Sequence, residues 1–258
     1  MTDLGLQQAI RAVGGVTELA RRIGIAQPSV SKWSRVPPER VLSVEAVSGI
    51  DRAVLRPDLY KEHADTTDAD DVDAARAQEY SLLAALVLRA PDAGLLQRLG
   101  ELRGDATPLG LAHIELADAA NDVEVDKVES EFFDLFIGLG RGELLPYGSY
   151  YLTGFLHERP LARLRGDLAA IGIDRVETVV EPEDHAGILC EIMAGLANRQ
   201  LPAPAGSDRL IFDKHMAPWI GRFFSDLERA KAANFYRRVG TIGRLFIEIE
   251  SEAFALSD

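Results

Sequence analysis

Apolar side chains recur every three or four residues along most of this chain, which is the spacing of an α-helix rather than of a β-strand. Between residues 79 and 130 the repeating side chains include Leu83, Leu86, Leu95 and Leu99. Hardly any segment alternates apolar and polar residues. The pattern predicts an all-α fold, with about ten helices and no sheet in this part of the chain.

One segment departs from the helical pattern, and two others follow it closely. Residues 173–181 have a β-like composition, but the segment is short. Near the end of the chain, 216–230 and 235–254 each place aromatic and aliphatic residues on one side of a helix. We expect both of these helices to lie in the core.

An acidic stretch interrupts the apolar pattern early in the chain. Residues 63–78 contain five aspartates, and Val72 is their only large aliphatic side chain. Such a segment cannot bury enough apolar surface to pack, and its charges repel one another. We expect an extended acidic tether, with a boundary near residue 70 between a small domain (1–62) and a larger one (79–258).

The small domain carries the spacing of a helix-turn-helix between Val16 and Trp33. Leu19 would face inward, Ala20 would allow two helices to cross closely, and Gly24 would permit the turn between them. The second helix would then present short polar side chains and cations to base edges and phosphates. The DNA-binding candidates are Gln27, Ser29, Ser31, Lys32 and Arg35.

Charge supports this interpretation locally but not globally. Residues 1–40 carry a formal charge of +3, from six basic and three acidic residues, in a chain whose net charge is −13. Because phosphate contacts supply most DNA affinity, a monomer would bind weakly and we expect a homodimer. Residues 4–62 resemble the Cro-like and prophage-antitoxin repressor domains. The alternative is a helix-turn-helix that serves only dimerisation or docking.

The most unusual segment of the larger domain runs from Glu131 to Leu161. Its aromatic residues precede and follow a loop that contains Gly138, Gly140 and Gly142. One interpretation is a groove in which tyrosines offer apolar faces with hydroxyl tips. The other is a pair of core helices around a tight turn.

A second polar motif, Glu181-Pro182-Glu183-Asp184-His185, is predicted to open a helix with a strongly apolar face. Proline is tolerated in a first helical turn, and acidic groups are favoured there. Asp184 and His185 would lean toward the buried side of that helix. Their role is either structural capping or part of a binding site.

These motifs together resemble the TorD, DmsD and NarJ group of maturation chaperones for molybdenum redox enzymes. Three pieces carry the resemblance, which spans about residues 76–254: 133–151, with its Pro146-Tyr147-Gly148-Ser149 core; 181–185; and Phe212, His215 and Trp219. The resemblance implies an all-helical cytoplasmic protein that binds the twin-arginine signal peptide, or the apo-enzyme, of a molybdoenzyme. Formate dehydrogenases and TMAO or DMSO reductases are enzymes of this type.

The resemblance also implies which residues bind the client. Gly148 departs from many relatives, which carry a glutamate there, so Glu143, Glu181 or Asp184 would have to meet the arginines of the peptide. The candidate client-binding residues are Phe136, Arg141, Glu143, Pro146, Tyr147, Ser149, Tyr151, Glu181, Asp184 and His185.

The sequence argues against an enzyme. Ser149, Asp184 and His185 supply the residue types of a hydrolytic triad, but neighbours on a helix diverge by about 100°, so Asp184 would not orient His185. The glycine loop lacks the preceding strand and the lysine of a phosphate-binding loop, so nucleotide binding would be weak at most. No cofactor of its own is expected, and a molybdenum cofactor would be handled only through the client.

The sequence also lacks the features of metal-binding, disulfide-bonded and membrane-spanning proteins. The histidines show no metal-ligand spacing, and the single cysteine, Cys190, cannot form an internal disulfide. No run approaches 18 apolar residues, and the N-terminus lacks the pattern of a signal peptide, so we expect a cytoplasmic protein without membrane insertion. The competing function is a transcriptional regulator whose larger domain senses the precursor or a small ligand.

Overall fold

The computed structural model describes residues 3–174 and 180–256, with the backbone alone at 61–69. Every regular element in these ranges is a helix, which confirms the all-α prediction. The chain divides into two compact units, Met1–Val72 and Asp73–Asp258. Five residues of the β-like segment, 175–179, lie outside the described residues.

The first unit begins with five helices and a short 3₁₀ turn. Asp3 caps the first helix by accepting the N–H of Gly5, and a Cβ at Gly5 would lie 2.2 Å from the carbonyl oxygen of Val54. Glycine therefore lets the first helix pack directly on the backbone of the fifth. The helices are α1 (Leu4–Val13), α2 (Val16–Arg22), α3 (Gln27–Ser31), α4 (Val41–Ser48) and α5 (Arg52–Leu55).

The helix-turn-helix has the predicted packing. Leu19 and Ala20 of α2 and Val30 of α3 are buried in a small core with Leu6. Gly24 takes a positive φ of 71° in the turn between the two helices, where a side chain would be strained.

The predicted extended tether is wrong, because a single helix, α6 (Pro57–Leu88), covers its whole length. No glycine or proline follows Pro57 in this helix, and five alanines between residues 64 and 77 supply the highest helix propensity. The helix propensity of these alanines outweighs the repulsion between the aspartates.

Within its described residues, the second unit continues with nine further helices, two of which end in π-helical turns. Its helices are α7 (Ala93–Leu99), α8 (Pro108–Asp122), α9 (Val125–Phe132, followed by Phe133–Ile137), α10 (Gly148–Thr153), α11 (Arg159–Ala170), α12 (Ala186–Ala197), α13 (Ser207–Ile211, followed by Phe212–Met216), α14 (Ile220–Arg229) and α15 (Phe235–Leu256).

The centre of the second unit is the packing of α14 on α15. A Cβ at Gly243 would lie 2.2 Å from the ring of Phe224, and one at Gly240 would lie 2.5 Å from the backbone nitrogen of Glu228. These two glycines let the helices approach closely. Phe223, Phe224 and Tyr236 are fully buried there, as expected for the two amphipathic helices predicted near the end of the chain.

A charged network fastens α6 to the rest of the second unit. Arg76 donates to both oxygens of Glu250 at 2.8 and 2.9 Å and also reaches Asp73 and Asp208. Tyr80 donates its hydroxyl proton to Glu250 at 2.9 Å. Glu250 is 1% exposed, so its charge depends on these donors. No described helix is both long enough and apolar enough to span a membrane.

We expect Glu250→Gln to lower the free energy of unfolding by about 2 kcal/mol, since it removes the charge that Arg76 and Tyr80 meet inside the protein. Urea unfolding measures the loss. Glu252→Gln changes an exposed glutamate of the same helix and should stay within about 0.5 kcal/mol of wild type. Equal stabilities for the two variants would contradict a structural role for this network.

Candidate functional site

Two motifs that lie far apart in the sequence meet through a short backbone pairing. Tyr147 and His185 form an isolated antiparallel bridge. The N–H of Gly148 donates to the carbonyl of Asp184 at 2.8 Å, and the N–H of Ala186 donates to the carbonyl of Pro146 at 2.7 Å. The segment 146–148 therefore lies beside 184–186 and directs the side chains of both.

This pairing also corrects the predicted start of the following helix. The acidic motif was expected to open a helix at Glu181, but α12 begins at Ala186 with His185 as its N-cap. Residues 184–186 bond to the neighbouring segment through their backbone, so the chain turns there instead of extending the helix.

Asp184 holds α10 against this pairing. One of its carboxylate oxygens, Oδ2, accepts the N–H of Ser149 at 2.7 Å, and both residues are at most 3% exposed. Ser149 Oγ and Asp184 Oδ1 are buried without a hydrogen-bond partner among the described residues. Both side chains are therefore buried at the junction, which Asp184 holds together through its Oδ2.

His185 is a buried, neutral cap. Its Nδ1 accepts the N–H of Gly187 at 3.1 Å, and its ring meets Tyr147 edge to face at 5.0 Å between centroids. Burial lowers the pKa of His185 to about 4. The imidazole is therefore uncharged near pH 7.

Tyr147 connects this junction to an accessible carboxylate. Its hydroxyl donates to Glu181 Oε2 at 2.6 Å. Burial and the Glu181 charge raise the pKa of Tyr147 above its ordinary value, so the phenol keeps its proton. Glu181 is only partly buried and faces a cavity.

The cavity lies between α6, α11 and α12 and has a volume of about 600 Å³. Its floor is aliphatic and its rim is charged. Glu183 at the rim pairs with Arg165 at 2.8 Å. The aliphatic lining includes Leu88, Leu168, Ile188, Ile192 and Leu201, and the charged lining consists of four carboxylates, Asp174, Glu181, Glu183 and Glu191, and two arginines, Arg89 and Arg165.

Of the predicted client-binding residues, only Glu181 lines this cavity among the residues that the structure describes. Tyr147 contacts Glu181, while Pro146, Ser149, Asp184 and His185 build the junction behind it. The sequence reasoning missed the cavity floor, because its side chains come from three helices. The small residues Ala84, Ala85 and Gly195, which leave space between these helices, were the available signal.

Two other predicted site residues, Phe136 and Glu143, contact other parts of the second unit. Phe136 lies among aromatic rings, 5.5 Å from Tyr236 and 6.5 Å from Phe223 between centroids. The carboxylate of Glu143 accepts the backbone N–H groups of Lys231 and Ala232 at 2.8 and 3.0 Å. Both residues therefore stabilise the second unit.

Arg141 and Tyr151 lie around α10 and do not line the cavity described above. Arg141 donates to the hydroxyl of Tyr150 at 2.6 Å. Tyr151 donates to Asp226 at 3.1 Å and carries the guanidinium of Arg222 over its ring.

Gly148 is required by the packing of Trp219. A Cβ at this position would lie 2.9 Å from the indole Nε1. The indole is itself fixed by donating to the carbonyl of His215 at 2.6 Å. A glutamate at 148 would therefore displace Trp219, which explains physically why this chain has glycine there.

The geometry does not form a hydrolytic triad. Asp184 bonds to the backbone of Ser149, and the Nδ1 of His185 accepts a backbone N–H, so no carboxylate among the described residues orients the imidazole. Within the described residues, no group of three or more His, Cys, Asp or Glu side chains could hold a metal ion.

Both units are similar to known protein families. Residues 102–225 match the family model described as the nitrate reductase delta subunit, which is of the TorD/NarJ type. The larger unit therefore resembles the TorD/NarJ-type proteins. Residues 6–64 match the family model of the bacterial toxin YdaS, which is a Cro-like helix-turn-helix.

Individual proteins are also similar to this chain. The chaperone protein TorD of Vibrio cholerae is 27% identical over 131 residues, which cover 47% of this chain and 60% of that protein. TorD of Shewanella loihica is 23% identical over 212 residues, which cover 77% of this chain and 89% of that protein. A crystal structure assigned to a redox enzyme maturation protein of Archaeoglobus fulgidus is 22% identical, covers 67% of this chain and 93% of that chain, and has a TM-score of 0.46.

We expect His185→Asn to remove one source of acid sensitivity. Wild type should lose stability as the pH falls from 6.5 to about 4. In this range His185 binds a proton in the unfolded chain but stays unprotonated in the folded protein, where it is buried. The slope would be at most about 1.4 kcal/mol per pH unit. Asparagine keeps a helix cap but does not titrate, so this component should disappear from urea unfolding measured at several pH values.

His157→Asn is the matched control for this measurement. His157 is exposed and has a positive φ of 60°, which asparagine tolerates. Its substitution should leave the pH dependence unchanged. An unchanged slope in His185→Asn would show that the buried imidazole is not its source.

Proposed function

We propose that this TorD-like protein is a cytoplasmic chaperone that holds the twin-arginine signal peptide, or an apolar segment of the apo-enzyme, of a molybdenum-cofactor redox enzyme. The observation that carries the proposal is the cavity between α6, α11 and α12, which combines an aliphatic floor with a rim on which four carboxylates outnumber two arginines. The similar proteins agree with it, since they are named as chaperones.

The chemistry of the cavity matches a peptide that is both basic and apolar. A signal peptide places two arginines before an apolar run. Guanidinium groups form bidentate hydrogen bonds with carboxylates such as Glu181 and Glu191, while the apolar run loses contact with water on the aliphatic floor. Tyr147 fixes the position of Glu181 through its short hydrogen bond.

In this proposal the protein binds and does not catalyse. Holding the signal peptide delays export until the client has received its molybdenum cofactor. The client would be a molybdoenzyme such as a formate dehydrogenase or a TMAO or DMSO reductase, and the cofactor would remain with the client.

The first unit favours a second activity, the binding of DNA. Gln27, Ser29, Ser31 and Lys32 are all exposed on and just after α3, where a helix-turn-helix presents its reading side chains. Gln27 donates to Ser31 at 2.9 Å, which orders this surface.

Several cations of this unit are already paired, which limits its affinity for DNA. Arg21 and Arg22 share Glu18, and Arg35 bonds to Asp58 at 3.2 Å. Few guanidinium groups remain to neutralise phosphates, so we propose that DNA is bound by a homodimer at modest ionic strength. The alternative function is a transcriptional regulator whose second unit senses the precursor or a small ligand.

We expect the double variant Glu181→Gln and Glu191→Gln to bind a synthetic twin-arginine signal peptide about tenfold more weakly, a loss of about 1.4 kcal/mol. Glutamine keeps an acceptor for Tyr147 but removes the charge. Calorimetry with the full-length protein measures the affinity. Replacing both peptide arginines by glutamine should produce a similar loss in wild type and little further loss in the variant.

The control is Glu101→Gln, which neutralises an exposed glutamate that does not line the cavity. It should leave peptide affinity unchanged. Equal binding of the arginine and glutamine peptides by wild type would contradict the proposed site.

For DNA, we expect a random-oligonucleotide selection at low salt to enrich one sequence, and Lys32→Ala to weaken binding and reduce the salt slope by about 1. Lys127→Ala, an exposed lysine of the second unit, is the control. Failure to enrich any sequence would exclude specific DNA binding. Electrophoretic shift with and without the signal peptide separates independent binding from a regulator that senses the precursor.

A further inference from the structure

We infer that the second unit has another docking surface, which binds an acidic and apolar segment of a partner protein. This tyrosine–arginine face consists of Arg141, Tyr150, Tyr151 and Arg222, flanked by Leu139 and Phe155. The inference goes beyond the proposed function, because the cavity with its carboxylate rim suits a basic segment instead.

Two arginines on this face are positioned by neighbouring tyrosines. The guanidinium carbon of Arg141 lies 5.1 Å from the ring centre of Tyr150, and that of Arg222 lies 5.0 Å from the ring centre of Tyr151. The two rings are 6.1 Å apart and nearly perpendicular. Stacking on an aromatic face fixes a guanidinium while leaving its N–H edge open to a carboxylate.

Neither arginine forms an ion pair within the part of the chain that the structure describes. Arg141 donates to a neutral phenol, and the carboxylate of Asp226 accepts the hydroxyl of Tyr151. Most other arginines of the unit that contact a side chain meet a carboxylate, as Arg76, Arg165 and Arg244 do. An acidic partner would therefore supply the carboxylates that these two guanidinium groups do not find within the described part of the chain.

Two apolar side chains lie in solvent on the segments that adjoin Arg141 and α10. Leu139 is 98% exposed at the tip of the loop before Arg141, and Phe155 is 69% exposed in the turn after α10. Gly138, Gly140 and Gly154 have positive φ angles and shape these two loops. Arg141 ties the first loop to α10 by its bond to Tyr150, and Phe155 follows the end of α10 by two residues. We therefore place these apolar and cationic groups on one surface.

The charge of the whole chain makes this surface selective. The formal net charge is −13, so a generally acidic molecule is repelled at long range. Only a segment that places carboxylates on both arginines and apolar side chains beside Leu139 and Phe155 gains enough contact to bind. The occupant is therefore an amphipathic acidic segment.

The test uses full-length protein and fluorescent synthetic peptides of alternating apolar and charged residues. A leucine–phenylalanine peptide with glutamates should bind, and its glutamine and lysine counterparts should not bind at this face. The double variant Arg141→Gln and Arg222→Gln should weaken glutamate-peptide binding at least about tenfold in fluorescence anisotropy. Arg163→Gln, an exposed arginine of α11, is the matched control and should bind like wild type.

A second double variant tests the same surface independently, in case the first one fails to fold. Leu139→Ser with Phe155→Ser removes the exposed apolar groups without touching a guanidinium, and it should weaken the same peptide. The inference is overturned if the glutamine peptide binds as tightly as the glutamate peptide, or if neither double variant weakens binding. Preferential binding to phosphatidylserine vesicles that the glutamate peptide does not displace would also overturn it, because the surface would then recognise a membrane. The twin-arginine peptide should be unaffected by either variant, which keeps this result separate from the cavity.

Discussion

The larger unit depends on the short backbone pairing between 146–148 and 184–186. Two hydrogen bonds bring together segments that sequence separates widely, and Asp184 adds a third bond to the start of α10. The pairing ends the turn at His185 and lets α12 begin at Ala186. It also aims Tyr147 at Glu181, which lines the cavity. The buried polar residues of the motif thus position the accessible carboxylate.

The carboxylates of the second unit have two roles, which depend on where they lie. The carboxylates of the cavity rim lie over an aliphatic floor, where a basic and apolar peptide would meet both. Other carboxylates hold the fold together. Glu131 accepts the N–H groups of Asn234, Phe235 and Tyr236 at the start of α15, and Glu250 is buried against Arg76. Acidic residues therefore account for both the stability of the unit and the kind of ligand that it suits.

Much of this architecture could be predicted from the sequence, because helical spacing and the helix-turn-helix pattern are local signals. The aromatic segment and the acidic motif were also recognisable, and the structure pairs them. The cavity floor could not be predicted, since Leu88, Leu168 and Ile192 converge only after three helices pack. The extended tether predicted for residues 63–78 was wrong because the helix propensity of its alanines outweighs the repulsion between its aspartates. The reason for Gly148 required the position of Trp219, which no local pattern contains.

In the proposed function the client peptide lies in the cavity between α6, α11 and α12. Hydrogen–deuterium exchange of the full-length protein, with and without a twin-arginine signal peptide, locates the bound peptide. We expect added protection at the end of α6, in α11 and in α12. Protection confined to residues 137–157, or to the first unit, would contradict it.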